Sequence, residues 1–405
     1  MTKDNLLDPN QSAYRQGHST ETLFMHVSDI ALPNLDNSKC TALLMLDLSA
    51  AFDTLDHPIL LHTLYHHFGV CSTALKWFQS FLSNRTQCVK IAESMSETRT
   101  LSYGAPQGSV LAGLLVTIFM TPLQHVINMH GNVTTKLKIS ITTRDQPDLD
   151  PLTKCIVDIR RLMNSYFLKL NEEKTELLVI SKPQINMHLS LSIGSASVLS
   201  AETIRNLGVY FDRNLTFDKH ISHLVQVLSL QLRLLSTIRS KLTFETCMLF
   251  LHYYFFSRLD YCLAVLYGLP DTSINRLQRL MNRAARILTG HPFRQSITPV
   301  LNELGWLKVR NRCTLRLLTH VFQCLHNNCP TYLRNKVQYY IPCRHLRSQT
   351  KSLLQVPQCK TAYGSRAFSV AGPNLFNLLP IAISKSNLLK NFKEKLYSHF
   401  LNSQY

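Results

Sequence analysis

The sequence predicts an α+β fold, and three observations carry that prediction. Up to about residue 185 short apolar strands alternate with amphipathic helices, without the regular βαβ repeat of a doubly wound sheet. After about residue 215 the pattern becomes mostly helical. The composition, 45% hydrophobic and 17% charged over 405 residues, is that of a globular chain with room for two or three domains and substantial cores.

The elements follow in order. Ser19–Leu32 spaces its apolar residues along one helical face behind a Ser19 or Thr20 cap. Thr41–Leu46 is an apolar run of the right length for a buried strand. Pro58–Phe68 opens with proline at a helix start, with Asp56 just ahead as an N-cap and Asp53 as a turn residue. Ala74–Leu82 has helical spacing, and Gln87–Ala92 with Glu97–Leu101 reads as a strand pair. Gly104–Ser109 is a Gly/Pro turn that feeds a helix over Ala112–Asn128. Pro151–Phe167 is a further amphipathic helix, leading through the charged turn Asn171–Lys174 into a short strand, Leu177–Ile180. Downstream, Ile274–Leu288 is the clearest helix, with Ile274, Leu277, Leu280, Met281, Ala284, Ala285, Ile287 and Leu288 on one face.

Charge is distributed unevenly. Residues 1–185 carry 16 Lys+Arg against 17 Asp+Glu, a balance of −1, whereas residues 186–405 carry 27 against 8, a balance of +19. Such a field attracts polyanions, nucleic acid first among them. Arg276, Arg279, Arg283 and Arg286 share the polar face of the Ile274–Leu288 helix. A stripe of this kind either tracks a phosphate backbone or simply stays wet, and the charge asymmetry favours nucleic-acid contact.

Eleven cysteines with no CxxC pair argue against a disulfide framework and for a reducing compartment, the cytoplasm or nucleus. Cys324, His326, Cys329, Cys343 and His345 crowd together, but zinc sites show tighter, paired spacing. The N-terminus lacks the apolar core of a signal peptide, and the longest nearly apolar run, Leu111–Leu123, is too short to span a bilayer, so no membrane partner is expected.

The chemistry concentrates in Leu43–His57, LLMLDLSAAFDTLDH, where an apolar strand delivers Asp47 into a tight turn carrying Phe52 and Asp53. A strand end gives a carboxylate the rigid support that hard Mg²⁺ requires. A second block, Tyr103–Ser109 (YGAPQGS), fixes a sharp turn in which Gly108 permits close approach and Gln107 offers a donor and acceptors. Taken with FLKLNEEKTELLVI, these strings closely resemble motifs A, B and D of reverse transcriptases, specifically those of LINE-type (non-LTR), jockey-like retrotransposons. QSAYRQGHSTETL resembles the end of the fingers region and IRNLGVYFDRNLTFDKHI the palm-to-thumb primer grip. SRLDYCLAVLYGLP, RLQRLMNRAARILTG, ITPVLNELGWLKVRNRC and SRAFSVAGPNLFNLLP resemble later segments of the same element class.

The resemblance implies a right-hand polymerase: a fingers remnant over 1–40, a palm over 41–185, a primer-grip and helical thumb-like region over 186–300, and a basic, mostly helical C-terminal region over 301–405. It implies template-directed nucleotidyl transfer from a dNTP to a DNA primer on an RNA template, with Mg²⁺ or Mn²⁺ and no small-molecule organic cofactor. Asp47 then becomes the motif A metal ligand, and Phe52 the aromatic that excludes a 2′-hydroxyl. Gln107 and Gly108 line nucleotide and template, Lys174 serves the pyrophosphate, and Arg15 lies near the triphosphate or template.

The sequence departs from the family between motifs B and D. A YADD-like tetrapeptide should complete the metal site there, but HGNVTTKLKISITTRDQPDLD places Val133 and Thr134 at the two aspartate positions. Asp145, Asp148 and Asp150 follow in a Pro-containing stretch without an apolar strand to deliver them. Loss of that ligand pair predicts a rate fall of about four decades, ~5.5 kcal/mol. It also predicts backbone groups left without partners beside the Thr41–Leu46 strand. The chain reads as a truncated, internally deleted copy of the element, an impaired or inactive polymerase whose alternatives are a non-catalytic RNA/DNA-binding protein or an unstable product.

Overall fold

The structure, a computed structural model, describes residues 6–106, 108–130, 138–139, 142–143, 150–184, 189–194, 196–341 and 353–403. Helices and strands mix as an α+β chain requires. Two compact units emerge: Met1–Gln16, Thr41–Val179 and Met187–Ala201 form the first, and Gly17–Cys40, Ile180–Asn186 and Glu202–Tyr405 the second.

The first unit is organised by the strand Cys40–Met45, which is buried on both faces, as is its neighbour Glu176–Ile180. Strands of that kind read as continuous apolar runs rather than as alternating ones, as LLM and LLVI do here. The sheet order is Ser190–Ile193, Ala196–Ala201, Glu176–Ile180, Cys40–Met45, Lys138–Ile139, and Thr142–Thr143 also pairs with Cys40–Met45. Glu176–Ile180 runs parallel to Ala196–Ala201, with Leu177 opposite Ser200, and Ser190–Ile193 returns antiparallel. Lys138–Ile139 lies antiparallel to the other edge, Leu44 opposite Ile139 and Met45 opposite Lys138. This corrects one expectation. The edge beside Thr41–Leu46 does not go without partners at Leu44 and Met45, because Lys138 and Ile139 pair there.

Ala42, Leu44, Leu46, Leu177 and Val179 share one core with Leu115, Ile118 and Phe119 and with Ile156, Ile159 and Met163. Those residues come from the helices Ala112–Phe119 and Asp150–Ser165. The single helix expected over Ala112–Asn128 is two, Ala112–Phe119 and Thr121–Met129, separated at Met120. Pro122 has no N–H to donate to the Ile118 carbonyl, so the first helix stops and a second begins with proline in its first turn. The expected strand pair over 87–101 exists as two short antiparallel ladders, Thr86–Gln87 with Arg99–Thr100 and Lys90–Ile91 with Ser94–Met95.

The second unit is mostly helical among its described residues and carries a hairpin, Thr203–Asn206 and Val209–Asp212, closed by Leu207 and Gly208. Both turn residues have positive φ (42° and 85°), the signature of a two-residue turn whose twist matches the strands. Helix Thr20–Asp36 starts in a capping box between Ser19 and Thr22. Its buried acids carry it into the basic region. Glu21 accepts from the Ala264 N–H and pairs with Arg316 at 2.8 Å and His320 at 2.9 Å. Asp29 accepts from the Ser369 N–H and faces Lys336 at 3.4 Å, and Asp36 accepts from the Lys360 and Thr361 N–H groups. Part of the excess positive charge read from the sequence is therefore neutralised from the N-terminal side of the chain.

Among the described residues two stretches, Ala112–Met129 and Asp218–Lys241, are long and apolar enough to cross a membrane by length and composition alone. The first is longer than the Leu111–Leu123 run the sequence suggested, and half of it is buried within the protein.

Candidate active site

Asp47 lies two residues beyond the last residue of the Cys40–Met45 strand, and the next residues fix it. Leu48–Ser49 pairs antiparallel with Lys169–Leu170, Leu48 opposite Leu170, and the Asn171 N–H donates to the Asp47 carbonyl at 2.9 Å. Asn171 then shapes the charged turn: its Oδ1 accepts from the Lys174 N–H at 3.2 Å and its carbonyl from the Thr175 hydroxyl at 2.8 Å. As a result the Lys174 Nζ stands 3.7 Å from Asp47 Oδ2. The side chains are 71% and 48% exposed, respectively. An ion pair so exposed contributes at most about 1 kcal/mol, so the backbone ladder creates this proximity and the charges do not.

Phe52 is half-buried against the core of the first unit, and its loop is locked to the second block. The Ala105 N–H donates to the Phe52 carbonyl at 2.8 Å and the Gly104 N–H to the Leu55 carbonyl at 2.7 Å. A β-bridge joins Asp56 to Tyr103. His57 Nε2 donates to the Gly104 carbonyl at 2.8 Å. His57 did not stand out in the sequence, because it works through a backbone carbonyl far along the chain. Gly104 has φ +90°, and a Cβ there would lie 3.0 Å from the Asp53 carbonyl oxygen and 3.1 Å from that of Phe52. Gly108 is exposed with φ +86° and open space around it, which leaves the close approach expected of it available. Gln107 lies outside the described residues.

A two-ion centre needs several carboxylate oxygens on rigid supports. Among the described residues no three His, Cys, Asp or Glu side chains come together to hold a metal. Asp56 is taken as the N-cap of helix His57–His66, its Oδ1 accepting from the Ile59 N–H at 2.9 Å. Asp150 opens the Asp150–Ser165 helix. Val133, Thr134, Asp145 and Asp148 lie outside the described residues. The described residues gather no three side chains to hold a Mg²⁺ or Mn²⁺ pair, and the Asp47 carboxylate is paired instead with the protein's own Lys174.

Arg15 turns back on its own segment, its Nη1 donating to the Asp8 carbonyl at 2.6 Å and that of Gln11 at 3.3 Å. Its neighbour Tyr14 lies over Gly113, where a Cβ would come within 2.4 Å of the ring. The segment is thereby seated on the helix that follows the Tyr103–Ser109 block. The four arginines of Asp271–Thr289 divide into two pairs. Arg276 bonds Asp218 at 2.6 Å and the Ser222 hydroxyl at 2.8 Å. Arg286 donates to the Gln295 carbonyl at 3.1 Å and stacks on Phe293. Arg279 and Arg283 are exposed, with no ion pair or hydrogen bond among the described residues.

Comparison with known proteins matches residues 1–211 to the model of the family described as reverse transcriptase (RNA-dependent DNA polymerase). The chain is similar to a probable RNA-directed DNA polymerase from transposon BS of Drosophila melanogaster, 25% identical over 72% of this chain and 34% of that protein. It is also similar to RNA-directed DNA polymerases from the mobile element jockey. That of Drosophila melanogaster is 24% identical over 70% of this chain and 32% of that protein, and that of Drosophila funebris 27% identical over the same shares. The chain thus spans about a third of the length of these relatives.

Proposed function

We propose, from the premise that this chain belongs to the reverse transcriptase (RNA-dependent DNA polymerase) family, that it is a retrotransposon polymerase core in which substrate positioning has outlasted catalysis. The ancestral reaction adds a nucleotide from a dNTP to a DNA primer on an RNA template. The observation that carries the proposal is the pairing of Asp47 with Lys174 at 3.7 Å, with no group of three metal-ligating side chains among the described residues. The backbone lock between the Phe52–His57 and Tyr103–Ala105 segments supports retained positioning, since it holds the aromatic and the turn where nucleotide and template would meet. The fall in rate from a lost ligand pair is about four decades, ~5.5 kcal/mol.

The test is primer extension by the purified chain on an RNA template with Mg²⁺ or Mn²⁺, beside Asp47→Ala. The expected result is no extension above that control. Extension that disappears in Asp47→Ala would overturn the proposal, since a second carboxylate must then complete the site.

A second reading has its own observation. Arg279 and Arg283 stand exposed on one helix of the strongly basic half of the chain, the arrangement suited to RNA or DNA phosphates. Binding and failed extension are compatible, and the two readings describe one protein in the cytoplasm or nucleus.

A further inference from the structure

The cysteine-rich stretch that the polymerase reading leaves unused contains a closely apposed pair. Cys324 is buried in the last turn of helix Val309–Leu325, and Cys329, half-buried, lies five residues on. The helix end brings them together. Asn327 takes the left-handed conformation (φ 56°), its N–H donating to the Cys324 carbonyl at 3.3 Å, and the Asn328 N–H donates to the Gln323 carbonyl at 2.9 Å. These two bonds are a Schellman closure, which reverses the chain over the last helical turn. Pro330 then directs the chain into the next helix, Thr331–Arg334. The reversal leaves the two Sγ atoms 3.1 Å apart, sharing a hydrogen bond. A disulfide requires about 2.05 Å, so side-chain motion of about 1 Å closes the bond. His326, between them, is turned away, its Nδ1 donating to the Phe322 carbonyl and its ring stacked on that of Phe322.

We propose that Cys324 and Cys329 form an oxidant-responsive dithiol that takes hydroperoxides and closes reversibly to a disulfide. Cys329, the reachable member, is the nucleophile. The hydrogen bond with Cys324 holds its thiol below the ordinary range despite partial burial, and the Arg334 guanidinium nearby adds to this. The same hydrogen bond, together with burial, pushes Cys324 up. The Cys329 thiolate attacks one peroxide oxygen, the O–O bond breaks, and the other oxygen leaves as hydroxide and is protonated to water. The sulfenic acid left on Cys329 is then attacked by the Cys324 sulfur. The S–S bond forms, and the second oxygen departs as water with the Cys324 proton. Two thiols lose two electrons and two protons, which reduce one hydrogen peroxide to two waters, and a thiol reductant reverses the change. Cys71, Cys88 and Cys359 are exposed but have no second described sulfur within hydrogen-bonding distance, so they lack the resolving partner.

Both cysteines lie between Arg316 and Arg334 with no Lys or Arg separating them, so one tryptic peptide reports the pair. The reduced full chain is treated with hydrogen peroxide, alkylated in denaturant, digested and weighed. The expected result is joint loss of both alkylation sites on that peptide, with a mass lower by two hydrogens, restored by dithiothreitol. It should proceed at least about tenfold faster than loss at Cys71 or Cys88. In Cys324→Ser, Cys329 should instead accumulate as sulfenic acid and be trapped by dimedone. A pair that remains alkylatable while Cys71 and Cys88 react, or that reacts no faster than they do, would overturn the proposal on the unmodified chain alone.

Discussion

At φ +90°, Gly104 occupies backbone space that an L side chain enters only under strain, and the carbonyl oxygens of Asp53 and Phe52 stand where its Cβ would go. Those oxygens belong to the loop carrying Phe52, so the methyl of an alanine would push apart the two segments that form the candidate site. Gly108, four residues on, is the natural control, since its φ of +86° imposes a similar backbone strain with nothing within 4 Å of the missing Cβ. Gly104→Ala is expected to destabilise by about 2–4 kcal/mol and Gly108→Ala by about 1 kcal/mol, the difference being the steric approach. Urea midpoints followed by circular dichroism would measure both; equal costs would mean that the loops are not packed as described. The sequence shows that a tight turn lies at Gly104–Ser109, because glycine and proline are local signals. It does not show that His57 and Leu55 are the turn's partners, because bonds to a backbone group so far along the chain leave no mark on residue type. Asp47 and Lys174 are legible only by resemblance, and their meeting depends on the Leu48–Leu170 ladder.

Elements were legible wherever periodicity decided them. Asp271–Thr289 was recognisable because its apolar positions repeat at helical spacing, and all of them but Ile287 are buried. Its polar face was ambiguous, since repetition of arginine does not say which guanidinium has a partner. The structure separates them: Arg276 and Arg286 hold the helix to its surroundings, and Arg279 and Arg283 face solvent. Replacing both exposed residues, Arg279→Gln with Arg283→Gln, should reduce the slope of log K against log salt for single-stranded RNA by about 1.4, at about 0.7 per phosphate contact. Replacing Arg276 and Arg286 instead should leave the slope nearly unchanged and lower stability. Anisotropy titrations over a range of salt concentrations would decide, and identical slopes for the first double variant and the parent would remove this face from the binding surface. Less legible was the break at Met120, where Pro122 ends a helix that its apolar neighbours would have continued.

At the scale of the whole second unit, acid stability should be set by two buried groups acting in different pH windows. His220 is buried near His223, and neither of its ring nitrogens has a hydrogen-bond partner among the described residues. Burial first, and the His223 charge second, lower its pKa from 6.5 to about 4. The unfolded chain therefore takes up a proton below pH 6.5 that the folded chain refuses until about pH 4. Stability from this group is complete above 6.5 and declines through that window, by up to about 3.4 kcal/mol. Glu21 behaves differently. Burial raises its pKa, but the His320 hydrogen bond and the His320 and Arg316 charges outweigh that and hold its carboxyl below the ordinary value of 4.5. Its contribution is present above the unfolded value and is lost only as pH falls through the lower folded value. Acid unfolding should then begin with His220 and finish with Glu21. The chain has two tryptophans, exposed Trp77 and buried Trp306, which packs against Phe256 in the second unit. In a Trp77→Phe background, Trp306 emission reports that unit alone. His220→Leu in this background should flatten the stability loss between pH 6.5 and 4 while leaving the fall below 4.5 in place. Retention of the full slope in that variant would assign the first phase to other histidines of the unit.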